Sequence, residues 1–239
     1  MDFNVNKTQF IIYRYSNTEL PRIPNIRLRG ESFKLMNTIK YLGILFSSNM
    51  KFSEHISSIT TKGKQLIAAL RRKLGRHCSP SVFKVVYEAC VRSILEYGSN
   101  CWDPINKTDI DKLESVNRFA MRHYVNKWNL SENELFEQTK WSTLAQRRHR
   151  LKVIQLYKFY RGYHDYSYHF TKVIDSGRRF SSRTTQPHWL TKPSSNTAKS
   201  FDQCFNYSAI SLWNQLDSET GLCDNLVKFK KMVNEFNFA

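Results

Sequence analysis

The sequence predicts an α+β chain that is predominantly α-helical, with a small N-terminal β section. Three observations carry this. Alternating apolar runs broken by turn signals are confined to residues 1–52. From Ser53 onward, apolar residues recur at helical spacing. Hydrophobic residues make up 41% and aromatics 14% of 239 residues, enough to bury a core.

In chain order, "QFIIYR" (Gln9 to Arg14) and "IRLRGESFKL" (Ile26 to Leu35) read as strands, the second folded into a hairpin by a Gly30-Glu31 turn. "KYLGILF" (Lys40 to Phe46) reads as a third strand. Its Gly43 lies in the strand interior, where glycine marks a bulge or a close backbone approach. Next comes a helix with Ile56, Ile59, Leu66, Ile67, Leu70 and Leu74 on one face. Lys62, Lys64, Arg71, Arg72, Lys73 and Arg76 occupy the rest.

Ser79 caps a helix with Pro80 at its first position. That helix, about Pro80 to Tyr97, is apolar on most sides and is expected to be the most buried. "NCWDP" breaks it, because the residue before a proline disfavours helical geometry. Asp109 is the expected cap of the following helix, whose stripe is Ile110, Leu113, Val116, Phe119, Ala120 and Tyr124. Ser131 and Glu134 form a capping box, and a further helix starts near Ser142. Tyr163 to Lys199 reads as a loop rich in Ser, Thr, Pro and basic residues, followed by two short helices. The expected organisation is a β section at 1–52, a helical domain at 53–162, a basic linker at 163–200 and C-terminal helices at 201–239.

Charge narrows the function. Lys and Arg number 37 against 20 Asp and Glu, giving +17 and a pI near 9.8. Such an excess opposes compaction and suits a polyanionic partner, above all RNA or DNA. Between Lys140 and Lys199 basic residues alternate with Tyr157, Phe159, Tyr160, Tyr163, Tyr166, Tyr168 and Phe170, a composition fit for phosphate contact plus base stacking. Tyr157 is in step with Leu144, Leu151 and Ile154 and belongs to the core. Leu144 and Leu151 anchor their helix inward, so Arg148 and Lys152 are expected to face solvent or nucleic acid. Arg147 is instead free to pair with Glu137.

Other chemistries lack a signature. No P-loop, dinucleotide-binding glycine motif, nucleophile elbow or H-E-x-x-H is present. The five cysteines are scattered with no C-x-x-C pair, so no metal site or disulfide framework is predicted. No apolar run reaches membrane-spanning length and the N-terminus lacks a leader's apolar core, which predicts an intracellular protein with no membrane contact.

Several stretches, in order, resemble the C-terminal part of reverse transcriptases from non-LTR retrotransposons of the jockey and chicken-repeat type. They are "FNVNKT" (Phe3 to Thr8), "IKYLGILFSSNMKFSEHI" (Ile39 to Ile56), "VRSILEYGSNCWDP" (Val91 to Pro104), "LESVNRFAMR" (Leu113 to Arg122), "LAQRRHRL" (Leu144 to Leu151), "KSF" (Lys199 to Phe201), "LWNQL" (Leu212 to Leu216) and "FKKMV" (Phe229 to Val233). Asn117 departs from the glutamine usual in that family.

The resemblance implies an end of palm, a thumb and a C-terminal extension that grip template and primer. It makes Tyr41, Leu42 and Gly43 part of a primer-grip-like element, and Lys7 the lysine that protonates the pyrophosphate leaving group. Lys62, Lys64, Arg71, Arg72, Arg148 and Lys152 are the expected nucleic-acid contacts. The family's catalytic aspartates precede this region, so the chain is expected to lack a complete active site. It then needs the missing upstream polymerase portion, and Mg²⁺ serves only the full-length enzyme. The alternatives are a stand-alone nucleic-acid-binding module and a helical protein-interaction module.

Overall fold

The first strand expected from the sequence is not a strand: Phe10 makes a single parallel bridge to Leu35, sealed by the Met36 N–H donating to the Phe10 carbonyl at 3.0 Å. In this computed structural model, residues 8–13, 25–28, 30–75, 78–176, 185–192 and 205–238 are described. Their fold is predominantly α-helical with a small N-terminal β part. The chain divides into two units, one of Met1–Gly98 with Asn106–Asn126, the other of Ser99–Ile105 with Lys127–Ala239.

The first unit opens with two antiparallel hairpins. β1 (Arg27–Leu28) pairs with β2 (Glu31–Ser32), turning at Gly30 as its positive φ of 85° allows. β3 (Thr38–Tyr41) pairs with β4 (Ile44–Ser47) in the register Tyr41↔Ile44 to Thr38↔Ser47. "KYLGILF" is therefore a hairpin and not one strand. Leu42 and Gly43 have φ of 46° and 85°, the conformation of a two-residue primed turn that follows the strand twist.

α1 (Ser53–Leu74) buries His55, Ile56, Ile59, Thr60, Gly63 and Ile67. Gly63 faces α5 (Lys107–Val125): a Cβ there would lie 3.1 Å from Val116 Cγ1 and 3.3 Å from Leu95 Cδ2. The missing side chain thus sets how closely the helices approach. α5 is capped by Asn106, whose side chain accepts the Asp109 N–H at 2.8 Å, and not by Asp109 as expected. Asp109 is instead buried in the first turn, accepting from Ser53 Oγ, Asn106 Nδ2 and Lys112 Nζ. Burial opposes its charge, but those bonds hold its carboxyl below the ordinary range.

The helix after Ser79 has three parts: α2 (Pro80–Tyr87), a π segment (Glu88–Arg92) and α3 (Ser93–Glu96). Its buried residues Phe83, Tyr87, Val91 and Leu95 are spaced four apart and at most 1% exposed. Four residues overshoot an α-turn by about 40°, so such a stripe drifts around a regular helix. The wider π turn takes back part of that drift and keeps all four facing inward. Only this face is buried. Val82 and Val85 are 49% and 65% exposed, which corrects the expectation of burial on most sides.

The second unit contains α4 (Ser99–Trp102), α6 (Glu132–Thr139), α7 (Leu144–Tyr160) and α8 to α10 (Phe205–Trp213, Ser218–Leu222, Leu226–Glu235). The Ser131–Glu134 capping box forms as expected, and Thr143 with Gln146 forms a second one that starts α7. The core is Val153, Leu156, Tyr157, Leu190, Trp213, Phe229 and their neighbours. Tyr157 stacks on Phe229 at 4.1 Å between centroids and donates its hydroxyl to the Asp224 carbonyl at 2.6 Å. Asn214 brackets Leu190, accepting its N–H and donating to its carbonyl, both at 2.9 Å, and so docks part of the expected linker on α8.

Candidate nucleic-acid interface

In the first unit, the first turn of α1 holds the β3–β4 hairpin. Thr38 Oγ1 donates to Glu54 Oε2 at 3.1 Å, and the Ser47 hydroxyl reaches the Lys51 carbonyl. The Leu45 N–H, on the open edge of β4, donates to His55 Nδ1 at 3.4 Å. His55 accepts there, which requires a neutral ring, and burial pushes its pKa below the ordinary value. The histidine thus ties β4 to the helix.

Held this way, the hairpin projects its turn. Tyr41 is 62% and Leu42 70% exposed, and Gly43 is exposed between the strands. No backbone approaches Gly43 in the way a strand-interior glycine would suggest. Its nearest neighbour is the Tyr97 ring, 3.4 Å from where a Cβ would lie. Sequence reading did not single out Tyr97, which comes from the far end of the π-containing helix.

α1 also displays cations. Lys62, Lys64, Arg72 and Lys73 are exposed. Lys62 and Lys64 lie on either side of the buried Gly63, so their side chains leave the core on opposite flanks, about 200° apart. Arg71 is half-buried and donates to Asn126 Oδ1 at 3.1 Å, at the left-handed C-cap of α5. Lys7 lies outside the described residues.

The second unit treats its cations differently. Arg148 and Lys152 are 2% and 5% exposed, which corrects the expectation that they face solvent. Arg148 Nε and Lys152 Nζ each reach an Asp103 oxygen at 2.7 Å, and Lys152 also donates to Ser208 Oγ at 3.1 Å. The reason is register: both lie at four-residue steps from the buried Leu144, hence on the same face. Burial raises the Asp103 carboxyl, but Lys152 and Arg148 outweigh it and hold it below the usual carboxylate range. Among the interleaved aromatics, Tyr166 stacks on Phe159 at 4.1 Å and donates to Asn206 Oδ1 at 2.7 Å. No three His, Cys, Asp or Glu gather as a metal site among the described residues, and no described helix is long and apolar enough to cross a membrane.

No family model and no solved structure matches the chain. A 115 kDa protein in the type-1 retrotransposable element R1DM of Drosophila melanogaster is 29% identical over 85 residues, 35% of this chain and 8% of that protein. A D. melanogaster protein named as an RNA-directed DNA polymerase from transposon BS is 28% identical over 99 residues, 41% of this chain and 11% of the relative. An uncharacterized Caenorhabditis elegans protein is 23% identical over 143 residues, 58% of this chain and 69% of its own length. The chain therefore spans about a tenth of the length of the two transposon proteins. These partial similarities mark it as carrying a retrotransposon-related region.

Proposed function

We propose that the chain is the template- and primer-binding C-terminal part of a non-LTR retrotransposon reverse transcriptase, of the jockey and chicken-repeat type. The hairpin β3–β4 ends the palm and acts as the primer grip, and the helices after it form the thumb and the C-terminal extension. The observation that carries this reading is the exposed Tyr41-Leu42-Gly43 tip, clamped to a helix whose solvent side carries Lys62, Lys64, Arg72 and Lys73. The first unit holds 20 Lys and Arg against 9 Asp and Glu, a net +11 of the chain's +17. Similarity to a protein named as an RNA-directed DNA polymerase supports the same assignment. Lys7 keeps its proposed role as leaving-group acid within a larger polymerase, with Mg²⁺ held by residues outside this chain. The chain alone extends no primer.

Salt titration of binding to an RNA–DNA hybrid tests this. Lys62→Ala/Lys64→Ala should flatten the slope of log affinity against log salt by about 0.7–0.9 for each phosphate no longer neutralised, whatever the base sequence. Absence of binding by the unaltered chain at low salt would overturn the reading. It would favour a protein-interaction module, for which the exposed Val82 and Val85 on α2 are the supporting observation.

A further inference from the structure

We infer that Tyr97 and Tyr41 form a stacking site for an unpaired nucleic-acid base at the hairpin tip, an inference that rests on the nucleic-acid reading above. The two tyrosines come from distant parts of the chain and meet at one glycine. Tyr97 ends α3 with ψ of 122°, out of helical geometry, and Gly98 follows with φ of 62°. The chain leaves the helix there and delivers the Tyr97 ring against Gly43. Tyr41 immediately precedes the turn that contains Gly43.

Both rings stay in water: Tyr97 is 57% and Tyr41 62% exposed, with Leu42 at 70% beside them. Three large apolar side chains at one small turn are costly to leave solvated unless something covers them. A nucleobase suits the site. Its flat apolar face matches a tyrosine ring, and its edges remain free to bond water or the phenolic hydroxyls. Charge supports a nucleic acid over an apolar peptide, since the unit bearing this tip carries a net +11, from 20 basic and 9 acidic residues. Lys40, next to Tyr41, is exposed, whereas Glu96, next to Tyr97, is half-buried. Stacking needs an exposed base face, so the ligand is a single-stranded tail or a frayed end, not the interior of a duplex.

Binding is measured to a hybrid with a short single-stranded tail and to the same hybrid without it, using 2-aminopurine in the tail as the stacking reporter. Tyr97→Leu should lose about 10-fold in affinity for the tailed hybrid with an unchanged salt slope, since the substitution removes no charge facing a phosphate. Tyr97→Phe should keep both affinity and 2-aminopurine quenching, and the untailed hybrid should barely distinguish the variants. Equal tailed-hybrid affinity for Tyr97→Leu and the unaltered chain would overturn the stacking site and leave the nucleic-acid reading intact. Failure of the unaltered chain to bind any hybrid would overturn both. Should Tyr97→Leu not fold, photocrosslinking of a 5-bromouracil tail to the unaltered chain decides: crosslinks at Tyr41 or Tyr97 support the site, and crosslinks only elsewhere overturn it.

Discussion

The two units handle positive charge in opposite ways. In the first, lysines of α1 flank the buried Gly63 one residue to each side and so project into water. In the second, Arg148 and Lys152 of α7 fall four and eight residues after the buried Leu144 and are drawn inward onto Asp103. Both helices are rich in basic residues. Position relative to the inward stripe, not composition, decides whether a cation is available to a polyanion or is a structural element. A basic run thus argues for an interface only after its phase is known.

The strongest way to break this contrast is to remove the acid on which the inward cations depend. Asp103→Asn leaves two cations under little solvent with half of their partner gone, and should cost about 3–5 kcal/mol in urea unfolding. A cost below about 1 kcal/mol would mean that Arg148 and Lys152 readily regain water, and the contrast between units would fail. A smaller effect is expected in the first unit from Gly63→Val. Its branched side chain would enter space held by Val116 and Leu95 and should cost about 1–3 kcal/mol. Unchanged stability would show that α1 and α5 can separate without loss.

Acid titration sharpens the comparison with the smallest effect. His55 and His123 in one unit, and His149 and His188 in the other, are each pushed below their ordinary value of 6.5 chiefly by burial. Stability from these neutral rings is complete above that value. It is lost as pH falls through their lowered folded-state values, because the unfolded chain takes up protons that the folded one refuses. Asp103, lowered from 3.8, keeps its charge throughout that window, and its contribution goes only at more acidic pH. Thermal melts between neutral pH and pH ~5 should therefore fall gradually in both units while the Asp103 cluster persists. A melting temperature that stays flat over this range would show that the rings protonate without penalty.

Much of the helical scaffold was legible because its signals are local. Ser79 with Pro80, and Ser131 with Glu134, announce helix starts within four residues, and each does so in the structure. The Gly30 hairpin was legible for the same reason. Gly43 was misread because a glycine between apolar residues looks alike in a bulge and in a turn. Only the pairing of Tyr41 with Ile44 tells them apart. The inward turn of Arg148 and Lys152 depends on Asp103, 45 and 49 residues earlier, which no window along the chain connects. Their spacing from Leu144 was the available signal, since four-residue steps place them on its face. Tyr97 carried no signal at all, because its significance comes from a hairpin more than fifty residues away.

The π segment Glu88–Arg92 makes that region sensitive to chain length in a way that side chains do not reveal. Ala89 and Cys90 within it are exposed, so most substitutions there should pass unnoticed. Deleting either one would heal the segment into regular α-helix and turn everything after it by about 100°. Val91 and Leu95 would rotate out of the core, and Tyr97 would swing away from Gly43. The helix behaves there like a gear with one extra tooth, tolerant of what the tooth is made of and intolerant of its loss.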